Sequence, residues 1–358
     1  MLMQLYLIIK HPPLMKSGER NMLIRYWLLI AVLIISGCGE TPQADGSAWY
    51  LSFSPDSHYL LATGRFDNAY TTQVFSIAKQ RYLTRIASLS TQVGNAEWSH
   101  DSQKIFFLNT EQHRIDVFDV KQKSVKEGCD FQWPAGIVNQ LTENTLVVAP
   151  ILVADFKHPD ESPAVINDCC SVEQSTTTEF GGCDSGTIFS VSCAETKDGP
   201  VAASYFGDCS VEIWDYRNET MVLRYRLPQL TDCWVKLSPD GQRLAALEAD
   251  GLSVWKLGQS APEQLFKINK SSVSTDTIGL DYALLNRLSF SRDGERLAVC
   301  FDKEVQVIEV SDEKMIFSRN FGRASEVVTC AISPDGKWIA FSGNLGTGIR
   351  LQTINTSN

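Results

Sequence analysis

Five histidines, ten cysteines and a scatter of carboxylates are the side chains of this sequence with chemistry to offer. His58 and His100 each fall in a polar turn between two apolar runs, which would put them on one rim of the fold. Imidazoles so placed bind metals or transfer protons, or simply face solvent. Asp67, Glu111, Asp208, Asp250 and Asp302 fall in a second set of turns that would form the opposite rim. They make either a cation-binding face or a set of turn formers. Cys169 and Cys170 are adjacent, a poor arrangement for two ligands of one tetrahedral ion, and no Cys-x-x-Cys pair accompanies them. No metal or other cofactor is therefore expected. Nucleophile elbow, zincin helix and phosphate loop are all missing. The glycine-rich stretch Gly181 to Gly186 lacks the lysine that a phosphate loop needs.

The elements that would carry these residues are repeated. Seven times an apolar run meets a polar turn and then a second apolar run. The turn acids or amides are Asp56, Asp101, Asn144, Asp198, Asp240, Asp293 and Asp335, spaced by 45, 43, 54, 42, 53 and 42 residues. Pro, Asp and Gly recur there because a tight reversal needs a preset φ, a side chain that bonds its own backbone and a residue that tolerates positive φ. A third run with period-two alternation follows each pair, as in Val211–Asp215, Leu252–Leu257 and Val305–Val310. In the third repeat only Ala164–Ile166 fills that role. A period near 42 is that of a four-stranded propeller blade. The expected fold is all-β, a single seven-bladed β-propeller over residues 48–354, with inserted loops near 155–186 and 262–286. The last repeat shows three runs. Its fourth strand comes from the N-terminal stretch Gly39 to Ser47, or the last blade stays three-stranded.

These turns and strands carry a resemblance. Asp208 precedes Trp214-Asp215 by the spacing of a WD40 repeat, and Asp250 and Asp302 stand similarly before Trp255 and Ile308. The Ser-Pro-Asp-Gly turns resemble the periplasmic repeats of the Tol-system propeller protein. The WD40 resemblance implies that the aspartate caps a turn, working with a histidine before the first strand. That histidine is missing from every repeat here.

Upstream, Met22 to Arg25 is a short positive start, Tyr26 to Ile35 an apolar run, and Ile35-Ser36-Gly37-Cys38 ends it. This is the secretory-signal pattern, and the run is too short to span a bilayer. Ile-Ser-Gly-Cys resembles the bacterial lipobox. The resemblance implies cleavage of residues 1–37, acylation of Cys38 and a membrane anchor in the cell envelope. The absence of aspartate after the cysteine favours the outer membrane. Translation is expected to start at Met22, and residues 38–47 read as a lipidated polar tether. An oxidising compartment makes disulfides expected among Cys129, Cys169, Cys170, Cys183, Cys209 and Cys233, with bridges stapling the 155–186 loop and joining Cys209 to Cys233. Cys193, Cys300 and Cys330 fall in strands and read as free core thiols.

The net charge is −10, and residues 1–37 hold four basic residues against Glu19, so the mature part is more acidic still. That disfavours nucleic acid as a partner. The function expected is a protein-protein interaction scaffold meeting an envelope protein through loops such as those holding Trp133, Asp155 and Gly186. A propeller hydrolase or lactonase, and a sensor binding a small ligand at the channel mouth, are the alternatives. In the innermost strands Glu97 and Asn139 are the main polar exceptions.

Overall fold

The repeats form antiparallel sheets because their runs alternate one buried face with another. The structure, a computed structural model, describes residues 46–67, 69–89, 96–109, 112, 114–130, 135–150, 164–167, 176–179, 188–206, 211–218, 220–227, 230, 234–248, 250–270, 286–321, 327–343 and 348–354. The first sheet is β1 (Gly46–Phe53), β2 (Tyr59–Phe66), β3 (Ala69–Ser76) and β4 (Arg81–Leu89). The second is β5 (Ala96–Trp98), β6 (Lys104–Asn109), β7 (Arg114–Asp119) and β8 (Ser124–Asp130). The third is β9 (Ala135–Thr142), β10 (Thr145–Pro150), β11 (Ala164–Asn167) and β12 (Thr176–Glu179). The fourth is β13 (Ile188–Thr196), β14 (Gly199–Phe206), β15 (Val211–Arg217) and β16 (Thr220–Leu227). The fifth is β17 (Trp234–Leu237), β18 (Arg243–Glu248), β19 (Gly251–Leu257) and β20 (Pro262–Asn269). The sixth is β21 (Leu288–Phe290), β22 (Arg296–Phe301), β23 (Glu304–Glu309) and β24 (Lys314–Asn320), and the last is β25 (Val327–Ile332), β26 (Trp338–Gly343) and β27 (Ile349–Thr353).

Within each sheet the strands pair in chain order. The first strands touch in a cycle, β1 to β5, β9, β13, β17, β21, β25 and back to β1. They line a central channel, and the fourth strands lie outside. Burial follows: β24 is mostly exposed or half-buried while β22 is almost wholly buried. The core is a series of layers between neighbouring sheets. One joins the ends of the chain, with Leu51, Phe53 and Phe75 against Ala331, Ala340 and Ile349. The Ala48 N–H also donates to Ser342 Oγ at 3.0 Å.

Three expectations are corrected. Six four-stranded blades are complete rather than seven; the last sheet has three strands among the described residues. β1 begins at Gly46, inside the segment read as tether, and pairs with β2 instead of β27. The long intervals are not simple loops either. The 155–186 stretch supplies β11 and β12, and the 262–286 stretch opens with β20. β20 shows only Phe266 fully buried, so its sequence carries too little apolar alternation to read as a strand.

The hairpin turn between first and second strands repeats one hydrogen-bond module. Ser54, Ser99, Ser238, Ser291 and Ser333 each donate Oγ–H to the aspartate two residues on, at 2.5–2.6 Å. Each aspartate accepts the backbone N–H two residues further, as Asp293 does from Glu295 at 3.0 Å. The residue after the aspartate has positive φ. It is Gly241, Gly294 and Gly336 in three blades, but Ser57 (φ 62°) and Ser102 (φ 63°) in the first two. A left-handed serine costs on the order of 1 kcal/mol. Both serines offset that by bonding the next turn: Asp335 N–H donates to Ser57 Oγ, and Asp56 N–H to Ser102 Oγ.

These turns make stability acid-sensitive. Burial raises the carboxyls of Asp56, Asp101, Asp293 and Asp335, but the serine hydroxyl and backbone N–H bonds outweigh it, and all four end below the usual aspartate range. A depressed folded pKa gives stability that is present above the unfolded value of about 4 and is lost as pH falls through the folded one. Asp293→Asn is therefore expected to lower stability at neutral pH by about 1 kcal/mol. Urea titrations at stepped pH should show its deficit against wild type closing below about pH 4.

Candidate functional site

The channel is built from one register position. Ser52, Glu97, Asn139, Ser192, Lys236, Ser289 and Ala331 lie opposite Leu61, Phe106, Val147, Ala203, Ala245, Ala298 and Ala340. Their neighbours along each strand, such as Leu51 and Phe53, pack between sheets. Three of the seven hold the ring together. Asn139 Nδ2 donates to the Val191 carbonyl at 3.4 Å, Ser192 Oγ accepts from Leu237 N–H at 3.0 Å, and Ser289 Oγ accepts from Ile332 N–H at 3.2 Å.

Glu97 and Lys236 are different. They stand on the second and fifth sheets, which do not adjoin, and they are coupled electrostatically without a direct contact. Tyr50 on β1 donates its hydroxyl to Glu97 Oε2 at 2.8 Å. Burial pushes the Glu97 carboxyl up, while Lys236, the Tyr50 hydroxyl and His100 pull it back. The Lys236 ammonium acts on Glu97 through space and makes no hydrogen bond or ion pair among the described residues. Cys193, on the intervening fourth sheet, is a free thiol, half-buried, pushed up by burial and by Glu97 and drawn down by Lys236.

One face of the ring bridges this channel. His100 Nδ1 lies 3.0 Å from Glu195 Oε2, from the second sheet to the fourth. His100 N–H also donates to Gln140 Oε1 on the third at 2.6 Å. His58 is engaged separately, 3.1 Å from Asp56. The two histidines thus share a rim without meeting. On the opposite rim the described acids are paired, Asp67 with Arg85, Asp250 with Lys267 and Asp302 with Arg287, while Glu111 and Asp208 lie outside the described residues. Asp302 is the turn aspartate of the repeat, and Arg287 stands just before β21. In this sheet an arginine occupies the place where the resembled repeats hold histidine. Among the described residues no group of His, Cys, Asp and Glu could hold a metal ion.

Cys129, at the buried end of β8, is disulfide-bonded. Cys300 and Cys330, expected as free core thiols, are joined to each other across the sixth and last sheets. Cys38, Cys169, Cys170, Cys183, Cys209, Cys233, Trp133, Asp155 and Gly186 lie outside the described residues. Lys236, Tyr50 and Glu195 were not singled out by sequence. The available signal was a charged residue between apolar ones in Val235-Lys-Leu, the register place of Glu97 in Ala96-Glu-Trp.

A buried carboxylate raised in pKa destabilises the fold once ionised. The folded form is favoured while Glu97 keeps its proton, and that advantage fades as pH rises past the unfolded value. Glu97→Gln is thus expected to melt higher than wild type at neutral pH and to converge with it below about pH 4, read by calorimetry across pH. A variant that melts lower at neutral pH would show the charge to be structural.

Fold and channel define a β-propeller. The chain is similar to the crystal structure of the Myceliophteria thermophila Cps50 (Swd1) beta-propeller domain, with TM-score 0.67 and 12% identity over 88% of this chain and 100% of that one. At that identity the likeness is one of fold. No protein-family profile and no curated protein matches the sequence.

Proposed function

We propose that this protein is a lipid-anchored interaction scaffold of the bacterial cell envelope, its three-stranded sheet counting as the last of seven blades. The anchor rests on the apolar run Tyr26 to Ile35 ending at Ile35-Ser36-Gly37-Cys38. The scaffold rests on the observation that carries the reading, a rim whose turns bond from one sheet to the next. Besides Ser57 and Ser102, Arg243 donates to the Gly294 carbonyl and pairs with Glu295 at 2.8 Å, and Arg296 donates to the Gly336 carbonyl. A frame fixed this way holds its connections in place for a partner. Lipidation puts it on the periplasmic or outer face of the outer membrane, acidic and unsuited to nucleic acid.

The test has two arms. Mass spectrometry of protein purified from its native membrane is expected to find an acylated N-terminus at Cys38, and Cys38→Ala to leave the membrane fraction. Crosslinked partners are expected to be lost when residues 271–285, between β20 and β21, are deleted. An unprocessed N-terminus overturns the anchor; unchanged partners overturn that contact surface.

A further inference from the structure

We propose that the central channel binds a small zwitterion, its ammonium held by Glu97 and its carboxylate by Lys236. The inference goes beyond the scaffold reading and does not depend on it. Opposite charges that lie within electrostatic reach normally close into an ion pair, since each loses hydration otherwise. These two do not. They are held on opposing walls by strands whose register is fixed on both sides. Tyr50 aims the carboxylate through its 2.8 Å bond, and among the described residues nothing comparable holds the ammonium, which has three donors to offer an acceptor.

The other channel positions point the same way. Asn139, Ser192 and Ser289 are already bonded to the neighbouring sheet, and Ala331 packs in the core layer between the last and first sheets. The groups left at this register position are therefore the Ser52 hydroxyl, one anion and one cation. A carboxylate alone would satisfy Lys236 and leave Glu97 unmatched; an amine alone would do the reverse. A molecule with both, separated by a short spacer, matches both walls. Free α-amino acids and short peptides share that chemistry, and spacer length distinguishes them.

Full-length protein in detergent would be titrated with glycine, glycylglycine and triglycine, with acetate and methylammonium as single-charge controls. The expected result is that one zwitterion raises the melting temperature and binds in isothermal titration calorimetry, while neither control does. Glu97→Gln and Lys236→Met should each bind it at least about tenfold more weakly, the loss of one charge-assisted contact. Circular dichroism checks that both fold, and Lys236→Gln serves if the methionine variant does not. The proposal is overturned if no zwitterion acts at millimolar concentration, if acetate alone acts equally well, or if binding survives in both variants.

Discussion

Arg287→Ala is expected to destabilise the protein by about 3–5 kcal/mol, the range for removing one partner of a buried ion pair. Arg287 is 2% exposed, its guanidinium lies 2.8 Å from Asp302 and 4.8 Å from the Trp234 ring. Asp302 is only 14% exposed at its side chain, so alanine would leave a largely buried carboxylate without its arginine. The pair ties the start of β21 to the turn between β22 and β23, and the cation-π contact reaches back to β17. Arg287 thus links two sheets through the place where the repeats it resembles use histidine. Urea unfolding of the single variants and of Arg287→Met with Asp302→Leu separates the terms. The double variant should recover much of the loss, because it removes both charges. A single-variant loss below about 1 kcal/mol would show the pair to be hydrated and weak.

The sheets were legible where the sequence alternates and turns sharply. Ser-Pro-Asp-Gly and its variants locate all five serine-aspartate modules, because the residue types that make the turn also make its hydrogen bonds. The weak segment Ala164–Ile166 proved to be part of β11. The outer strands β12 and β20 were illegible for a physical reason. An outermost strand packs on one side of one neighbour, so a single Phe266 suffices for β20 and the rest is polar. The channel was half legible. Period-two alternation marks Lys236 as facing away from the apolar layer, but cannot say whether it faces bulk water or a channel shared with Glu97. That distinction depends on ring closure, a property of contacts between distant repeats. Arg287 was missed because it stands directly after the 262–286 stretch, which reads as an inserted loop.

Reducing the Cys300–Cys330 bridge is expected to cost about 3–4 kcal/mol on chain entropy for its 30-residue separation. Both residues are buried, so Cys330→Ala adds the loss of packing around it. The bridge joins β22 to β25, across the layer where Ala298 and Val307 meet Ile332, Ile339 and Phe341. That is the layer holding the three-stranded sheet to its neighbour. The sheet is also held on its other side, by Leu51 and Phe53 and by the Ser342 bond to Ala48. Loss of the bridge should therefore loosen β25–β27 first, before the complete blades, and hydrogen exchange after reduction should show their amides exchanging earliest. Uniform exchange over all sheets would mean that the ring opens as one unit. The bridge also connects fold to address. Disulfides persist in oxidising compartments, so under the proposed export protein made without residues 1–37 and kept in a reducing cytoplasm should match the reduced form, while exported protein should not. Equal stability of the two preparations would separate the disulfide from the proposed export.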